Sequence, residues 1–530
     1  MRASLSRSFV ALSFSLAACG APIDPDGAPA DGAIDMDAVG TDARSLDASD
    51  AAPVGPDAPS NPALATNLAV SRVAVFQGVR VGLFDGDAVS VPSMRNAPVI
   101  TNRLATVRAY VTPAAGFVAR SLTAELLWDD GSGALVVLRD AKMISGASTE
   151  GDPASVFTFR VDASRVRSNS RWSVRVLDPS GTTPSPSVAS PARAPRDGTT
   201  APLAANSAPG AVRVTLVPVR WTRDGSNRLP DTSPEQLARM RSLLVALYPI
   251  NAVDFTVHAP IDFGATTLTG NVNFGSLNGV LETLRDRERP GDDVYYYALV
   301  APDVSRAAYC GRSCVTGQSY VVSDIADASI RVGSGVGFTG EDTAWTFAHE
   351  LGHLFGREHA PCSTSGSDAR YPYRGAALGV WGWDPRSDTF FDPAATTDFM
   401  GYCDPQWLSD YTYRALFERA SALRPGPMAL ESDESNPLVH VATLGRDGAL
   451  AYSHARRPNR VPRGSSTLDA HYFNSEGRAL GRAVATVVAI ADGEPNALAN
   501  VFVIDAFEGA TRVELRGPDG AVRALTLPPR

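Results

Sequence analysis

The sequence predicts a multidomain protein in which a mixed α/β region lies between two β domains. Its 530 residues exceed the usual size of one domain, and a composition of 44% hydrophobic and 20% charged residues is typical of globular proteins. Apolar and polar residues alternate with period two in residues 66–200 and again in 426–530, which indicates strands with one exposed face. Between these segments, apolar stripes of helical period alternate with short apolar runs. The net charge of −9 disfavours nucleic acid as a partner.

The N-terminus predicts export and lipid anchoring. Arg2 and Arg7 precede an apolar run at residues 9–16 that is too short to span a bilayer and fits a signal peptide over residues 1–18. The run ends in "LAAC", which resembles the bacterial lipobox and implies that Cys19 is lipidated and becomes the new N-terminus. An ordinary signal followed by an unrelated cysteine is the alternative. We therefore expect an exported protein of the bacterial cell envelope, anchored in the membrane at the outer membrane or cell surface.

Residues 19–65 predict a disordered tether. Asp, Ala, Pro and Gly dominate this segment, and large apolar residues are almost absent. Such a segment cannot bury enough surface to offset the entropy lost on ordering. We expect a solvated linker between the membrane and the folded domains.

Residues 66–200 predict an antiparallel β-sandwich. The alternating stretches are "ATVRAYV" at residues 105–111, "SVFTFRV" at 155–161 and "WSVRVLD" at 172–178. Turn clusters such as "DDGSG" separate them. Asp129 and Asp130 in that cluster could bind Ca²⁺, but Asp and Gly are the usual residues of hairpin turns. Calcium binding therefore has no further support in the sequence.

Residues 201–425 predict the α/β domain. Apolar stretches at residues 212–219 and 294–300 predict strands. One helix begins with Ser233 as N-cap, Pro234 in the first turn and Gln236 as the capping-box partner. The residues at helical spacing, which we expect in the core, are Leu237, Met240, Leu244 and Leu247 in this helix and Leu277, Val280, Leu281 and Leu284 in a second one. A closing helix, capped by Ser409, is predicted within residues 407–420.

The stretch "HELGHLFGREH" at residues 349–359 predicts a metal site. At 3.6 residues per turn, His349 and His353 project from one face of a helix. Gly356 adopts left-handed dihedrals at little cost, so it predicts the end of the helix and a turn that returns His359 as a third ligand. Three imidazoles suit one Zn²⁺ ion and leave a fourth position open to water, as in catalytic sites.

Glu350, beside the first histidine, predicts hydrolytic chemistry. Zinc lowers the pKa of a bound water toward about 7, and a neighbouring carboxylate can accept its proton as the water attacks a carbonyl. The alternative is a chance HExxH whose histidines pack in a core. The complete HExxHxxGxxH pattern disfavours that alternative.

These motifs resemble those of the metzincin zinc endopeptidases. The second family mark is a methionine turn, and "TTDFMGYC" at residues 396–403 provides it with Met400. The resemblance implies that Met400 supports the metal site from below without binding zinc. It assigns Tyr402 to zinc binding or oxyanion stabilisation, with simple packing as the alternative. It also implies a catalytic domain with a mixed twisted sheet and an active-site helix, covering about residues 212–422, with substrate extended along an edge strand.

Five cysteines support an exported protein. With Cys19 lipidated, four remain, and an even number in an exported chain predicts two disulfides with three alternative pairings. We favour Cys310–Cys314 and Cys362–Cys403, because the second pair would tie the loop after the histidine motif to the methionine region. The spacings do not match a zinc ribbon or finger. No cysteine lies between Cys19 and Cys310, which excludes latency through a prodomain thiol.

Residues 426–530 predict a small C-terminal β domain. The predicted strands are "PLVHVATL" at residues 437–444, "ATVVAIA" at 485–491, "NVFVIDAF" at 500–507 and a hairpin over 511–527. Its scattered histidines, which we interpret as structural, are His440, His454 and His471.

The sequence as a whole predicts a zinc-dependent endopeptidase that acts on extracellular or surface proteins, including glycoproteins. A cell-surface lipoprotein that binds protein or glycan and keeps a vestigial zinc site is the alternative. Intact Glu350 argues against the alternative. An exopeptidase would need a feature for recognising chain termini, which the sequence does not offer.

Overall fold

The computed structural model describes residues 63–529 except for 134, 182–189, 268–269, 312–313, 365, 424–435 and 493–496. The predicted signal peptide, Cys19 and almost all of the predicted tether lie outside the described residues. Residues 61–530 form one compact unit. The domain boundaries at residues 200 and 425 stay predictions. Within the described part, no helix is both long and apolar enough to cross a membrane.

Two antiparallel sheets form the N-terminal region. Their strands are β1 (Leu68–Phe76), β2 (Arg80–Asp85), β3 (Ala88–Val89), β4 (Ala105–Pro113), β5 (Arg120–Asp129), β6 (Leu135–Ile144), β7 (Phe157–Val161), β8 (Arg171–Leu177), β9 (Arg193–Ala194) and β10 (Ala201–Pro202). One sheet has the order β3-β2-β1-β4-β7, and the other has β10-β8-β5-β6 with β9 paired to β8. Strand β4 is buried on both faces as far as Val111, although its sequence alternates. A hairpin of the central region at residues 382–391 covers its polar face, where the Arg108 guanidinium lies 4.1 Å from the centroid of the Phe390 ring.

The central region builds a mixed sheet with helices. Its elements are β11 (Val212–Trp221), α1 (Pro234–Leu247), β12 (Val253–Val257), β13 (Ile261–Phe263), α2 (Phe274–Glu288), β14 (Val294–Val300), α3 (Arg306–Cys310), β15 (Gly317–Tyr320), β16 (Val332–Val336), α4 (Glu341–Leu354), β17 (Gly382–Asp384), β18 (Thr389–Phe391), β19 (Thr397–Asp398), β20 (Gln406–Trp407) and α5 (Asp410–Ala422). Strands β12, β11, β14 and β16 are parallel, and β15 follows β16 in the antiparallel direction. Strand β15 is therefore the outermost strand that this region contributes on that side.

Side-chain caps begin α1 and α5, whereas α4 begins after Gly340 without one. The Ser233 hydroxyl accepts a hydrogen bond from the Gln236 backbone N–H at 3.3 Å, and α1 begins there. Ser409 caps α5 in the same way through Thr412 at 3.1 Å. The prediction that Val280 belongs to the core of α2 is wrong, since it is 41% exposed. Val280 lies at the border of the helical stripe and faces solvent.

The C-terminal region is an antiparallel sheet that joins the central one. Its strands are β21 (Val439–Gly445), β22 (Leu450–Arg456), β23 (Ser466–Phe473), β24 (Ala479–Ala491), β25 (Ala497–Ile504), β26 (Arg512–Arg516) and β27 (Val522–Thr526). Strand β24 pairs with β15, with Ser319 opposite Ala491 and Tyr320 opposite Ile490. The two regions therefore share a continuous sheet of 13 strands.

A buried ionic cluster holds the C-terminal sheet against α2. The Arg456 guanidinium lies 2.9 Å from a Glu282 carboxylate oxygen and 2.7 Å from an Asp286 oxygen, and all three side chains are buried. The Tyr320 hydroxyl donates to Glu282, and His454 Nε2 lies 3.3 Å from the same carboxylate. Because burying unpaired charges is costly, these contacts fix how the two regions meet.

Candidate metal centre

Helix α4 carries two histidines near its C-terminal end. His349 and His353 lie on its last turns, and Gly356 follows with φ +81°. A Cβ at Gly356 would lie 2.8 Å from the Val322 carbonyl oxygen and 2.6 Å from Arg419 Nη2, so both the dihedral and the space require glycine. The turn that it makes returns His359 to the two helical histidines.

The three histidines converge on one point. Nε2 of His353 lies 3.1 Å from Nε2 of His349, and the ring centroid of His359 is 4.7 Å from that of His353. The opposite nitrogens of the helical pair are held by the backbone: Nδ1 of His349 donates to the Phe399 carbonyl at 2.8 Å, and Nδ1 of His353 donates to the Arg357 carbonyl at 2.6 Å. A carbonyl can only accept, so these bonds place the hydrogen on Nδ1 and direct both Nε2 lone pairs inward.

A fourth group, Asp492, joins the histidines from the C-terminal sheet. One carboxylate oxygen lies 3.1 Å from Nε2 of both His349 and His353, and the other lies 2.9 Å from Nε2 of His359. The sequence analysis did not identify this residue. Asp492 directly follows the strand predicted at residues 485–491 and belongs to no motif, and only the pairing of β24 with β15 brings it to the histidines.

The four groups fit a zinc ion. Their ligand atoms all lie within 4.8 Å of one another. Tetrahedral zinc with bonds of about 2.0–2.1 Å separates its ligand atoms by about 3.4 Å, close to the distances between Nε2 and the carboxylate oxygens. The Nε2 lone pairs of the two imidazoles face each other and a carboxylate. These groups repel one another unless a cation lies among them. The donor set of nitrogen and oxygen atoms suits Zn²⁺.

The electrostatics of the group also favour a cation. Burial alone would raise the pKa of Asp492, but the three histidines hold it well below its ordinary value. Burial lowers the pKa of His353 to about 4, so this imidazole is neutral and can act as a ligand near neutral pH. Burial lowers the pKa of His349, but the Asp492 carboxylate outweighs this and raises it above its ordinary value, so the group favours positive charge beside that carboxylate.

Glu350 lies between α4 and the outer strand β15. It is 2% exposed, and a Cβ at Gly317 in that strand would lie 2.4 Å from one of its carboxylate oxygens. The absence of a side chain at Gly317 therefore makes room for Glu350. Burial raises the pKa of Glu350 well above its ordinary value, the negative charge of Asp492 adds to this, and the Ser319 hydroxyl opposes it.

Met400 lies directly beneath helix α4. A Cβ at Gly352 would lie 2.4 Å from its sulfur, so the glycine inside the motif lets the methionine turn pack against the helix. The Asp398 carboxylate accepts from the Met400 backbone N–H at 2.9 Å and from that of Ser409 at 3.0 Å. The backbone N–H of Ala360 donates to the Met400 carbonyl at 2.9 Å. The turn is thereby joined to the segment that carries the third histidine.

Both expected disulfides are present. Cys362 bonds to Cys403 and closes a separation of 41 residues, and Cys310 bonds to Cys314. The first of these links the loop after His359 to the methionine turn. Beside it, the backbone N–H of Tyr402 donates to the Cys362 carbonyl at 3.0 Å.

Tyr402 lies at the rim of the histidine group. Its hydroxyl is 3.2 Å from Nε2 of His359, and the residue is 48% exposed. Its ring packs against that of His359 with centroids 5.1 Å apart, and its hydroxyl is directed at the same point as the histidine nitrogens. It is close enough to contact a metal ligand or a substrate oxygen there.

A cavity of about 450 Å³ lies beside Asp492. Its wall comes from the start of α2, from β15 and from the C-terminal sheet, with lining residues that include Phe274, Gln318, Asp447, Tyr452, Ile490 and Asn500. The cavity is bordered by both regions that meet at the β15–β24 pairing. A peptide side chain of ordinary size fits this volume.

The aspartates considered for calcium occupy a hairpin turn. Asp129 accepts from the Gly131 backbone N–H at 2.8 Å, and Asp130 accepts from that of Ser132 at 2.9 Å. These are the local bonds of turn residues. Among the described residues, the cluster able to hold a metal is the one of His349, His353, His359 and Asp492.

Comparison with known proteins supports a peptidase. Residues 330–410 match the family model described as Peptidase M66, a metallopeptidase family. This stretch carries the three histidines, Glu350, Met400 and Tyr402 but not Asp492. It is similar to a metallopeptidase family, and its three histidines together with Asp492 could bind a metal ion.

The other comparisons add little. No curated protein matches the chain. Among solved structures, a calcium-binding mutant of Bacteroides uniformis β-glucuronidase 2 aligns at 10% identity over 46% of this chain and 26% of its own length, with a TM-score of 0.16. A likeness this weak carries no argument about fold or function.

Proposed function

We propose that this protein is a zinc-dependent endopeptidase of the bacterial cell envelope, anchored through Cys19, that cleaves extracellular or surface proteins and glycoproteins. The observation that carries the proposal is the convergence of three Nε2 atoms on one point beside the buried Glu350. The match of residues 330–410 to a metallopeptidase family supports it independently.

Each residue of the site has a defined part in peptide hydrolysis. His349, His353 and His359 would hold the ion, which when bound would supply Lewis-acid polarisation of the scissile carbonyl and lower the pKa of a water. Glu350 accepts the proton of the attacking water and returns it to the leaving amine. Its raised pKa, caused chiefly by burial, makes the carboxylate a stronger proton acceptor than an ordinary glutamate. The Tyr402 hydroxyl donates a hydrogen bond to the developing oxyanion.

We also propose a metzincin-like catalytic domain in this role. Four parallel strands with one antiparallel outer strand, a helix bearing the first two histidines and a methionine packed beneath that helix support the assignment. Extended substrate would pair with β15, since its backbone runs beside Glu350. In the described structure β24 already pairs with this strand.

A binding lipoprotein with a vestigial metal site is the second candidate. Asp492 favours it, because a fourth protein ligand closes the position that a catalytic site leaves to water. This hypothesis predicts a zinc-loaded protein that cleaves no protein or glycoprotein, both in the wild type and after Asp492→Ala.

Substitution of Glu350 tests the enzyme hypothesis. Glu350→Gln removes the proton acceptor but leaves the three histidines, so bound zinc should persist while cleavage of an unfolded protein falls at least about 10²-fold. Glu341→Gln is the matched control, since Glu341 is exposed in the first turn of the same helix. Zinc is measured by elemental analysis. Equal cleavage by zinc-loaded wild type and Glu350→Gln would show that the mechanism is wrong.

The anchor is tested separately at Cys19. Cys19→Ser removes the thiol that would be lipidated, so the variant should lose its partitioning into detergent and retain an unprocessed N-terminus. N-terminal mass analysis checks both points. A variant that is processed and partitions like the wild type would contradict lipidation at this residue.

A further inference from the structure

Asp492 is placed at the metal centre by a special backbone conformation. It directly follows β24 and has φ +55°, in the left-handed region that Asp and Asn tolerate better than most residues. Its side chain is 8% exposed, and both carboxylate oxygens face histidine nitrogens. A buried carboxylate in an uncommon backbone conformation indicates a position selected for what its side chain contacts.

Strand β24, which ends just before Asp492, pairs with β15 at the outer edge of the central sheet. Beside the register pairs at Ser319 and Tyr320, the Val321 backbone N–H donates to the Ala489 carbonyl at 3.0 Å. Strand β24 is antiparallel to β15. An extended peptide bound by strand addition would make the same kind of hydrogen bonds. One continuous segment of this chain therefore pairs with β15 and also contributes Asp492 to the histidine group.

We propose that Asp492 is a fourth ligand of the metal and that Ile490–Asp492 lies where substrate would bind, so that the described form is a closed state of the enzyme. This inference rests on the proposed function. The fourth coordination position then belongs to a carboxylate instead of water, and Glu350 has no water to deprotonate. Substrate must displace both the short strand pairing and the carboxylate.

The closure is local, which makes it reversible. Strands β15 and β24 are paired at only two residue positions. The C-terminal sheet is also held at a second place, by the buried contacts of Arg456 with Glu282 and Asp286. The carboxylate can therefore leave the metal while the sheet stays attached to α2. Basal activity of the wild type reflects the fraction of molecules in which it has left.

The test uses the full-length protein with cobalt(II) or zinc in the site and does not depend on cleavage. Acetohydroxamate needs a free coordination position, so in a visible-spectrum titration it should bind cobalt-loaded Asp492→Ala at least about 10-fold more tightly than wild type. Zinc should pass to a chelator at least about 10-fold faster from the variant, since it has lost a ligand. Asp492→Asn is the second variant, because Asn keeps the shape and tolerates the same backbone conformation.

Asp447→Ala is the matched control. Asp447 is exposed, lines the same cavity and lies outside the metal group, so it should match wild type in both measurements. Wild-type hydroxamate affinity and zinc release in both Asp492 variants would overturn the inference. Loss of zinc without tighter hydroxamate binding would also overturn it, since the site would then be a structural one with four required ligands.

Cleavage then separates this inference from the proposed function. If both hold, Asp492→Ala cuts an unfolded protein faster than wild type when both are zinc-loaded. If Asp492→Ala binds hydroxamate more tightly and cuts nothing, the fourth ligand stands and the endopeptidase hypothesis fails.

Discussion

The N-terminal and C-terminal β regions both pack against the region that carries the metal centre, but only the C-terminal one contributes a residue to it. The N-terminal region supports the site from behind: the Gly78 carbonyl accepts from the Trp383 backbone N–H at 2.9 Å and from Trp407 Nε1 at 2.8 Å. The C-terminal region extends the sheet at β15 and contributes Asp492 to the histidine group. Regions of the same secondary structure therefore serve as a support in one case and as a ligand donor in the other.

The supporting contacts reach the metal centre only through other residues. Arg103 donates to the carbonyls at the end of α1, and Tyr248, the residue after that helix, donates from its hydroxyl to the Ala348 carbonyl in α4 at 2.7 Å. No such intermediate separates Asp492 from the histidines. Damage to the N-terminal contacts should therefore lower stability, and damage to the C-terminal contacts should also change how the metal is held.

Breaking the C-terminal attachment should have the largest effect. Arg456→Met leaves Glu282 and Asp286 buried without their cation, which should lower the free energy of unfolding by about 3–5 kcal/mol. Because the sheet that carries Asp492 is loosened, zinc should also pass to a chelator faster than from wild type. Urea unfolding and chelator competition measure the two quantities. Unchanged zinc release in the folded variant would contradict the distinction between the two regions.

Breaking the N-terminal support should cost less and spare the metal. The Arg103 guanidinium donates to the carbonyls of Tyr248, Ile250 and Ala246 at 2.6, 2.8 and 2.9 Å. Arg103→Met removes the guanidinium donor from the Ala246 and Ile250 carbonyls, while the Tyr248 carbonyl keeps the Ile250 backbone N–H at 2.8 Å, and should lower the free energy of unfolding by about 2–3 kcal/mol. Zinc release from the folded variant should match wild type. Arg139→Met is the control and should cost less than about 1 kcal/mol, because the Arg139 side chain is mostly exposed and the buried Glu125 keeps its ion pair with Arg175 at 2.6 Å.

Local patterns could predict the part of the site that lies on one helix and its turn. The spacing of His349 and His353 follows from helical geometry, and the turn at Gly356 follows from its left-handed φ, which a residue with a Cβ rarely adopts. The cap at Ser233 is equally local. Met400 needed the family resemblance, because no spacing rule brings a residue so far along the chain beneath α4.

The rest of the site depends on contacts between distant segments. Asp492 reaches the histidines because β24 pairs with β15, and nothing in the residues of either strand specifies that partner. The ion pairs of Arg456 with Glu282 and Asp286 depend on the same docking. Sequence alternation also failed to show that β4 is buried on both faces, since its polar face is covered by residues far along the chain. The local sequence patterns therefore could not predict contacts between segments that lie far apart in the chain.

Gly317 in β15 tests the place where the central and C-terminal regions meet. Gly317→Ala places a Cβ against Glu350, so the carboxylate must shift, and an error of about 1 Å in such a group can lower the cleavage rate about 10²-fold. Overpacking should cost about 1–3 kcal/mol of stability. Gly146→Ala, where a Cβ meets no atom within 4 Å, is the control in the N-terminal region. A Gly317→Ala protein with wild-type cleavage would contradict the position assigned to Glu350.

The smallest effect is expected at His454, a histidine of the C-terminal sheet outside the metal group. Its Nε2 lies 3.3 Å from Glu282, but that carboxylate keeps Arg456 and the Tyr320 hydroxyl when the imidazole is lost. His454→Gln should therefore change the free energy of unfolding by less than about 1 kcal/mol, because the contact is partly exposed and redundant. Zinc content and zinc release should equal those of wild type, in contrast to Arg456→Met a short distance away. Urea unfolding and elemental analysis of the two variants side by side measure this contrast, and loss of metal from His454→Gln would show that the histidine interpreted as structural takes part in holding the ion.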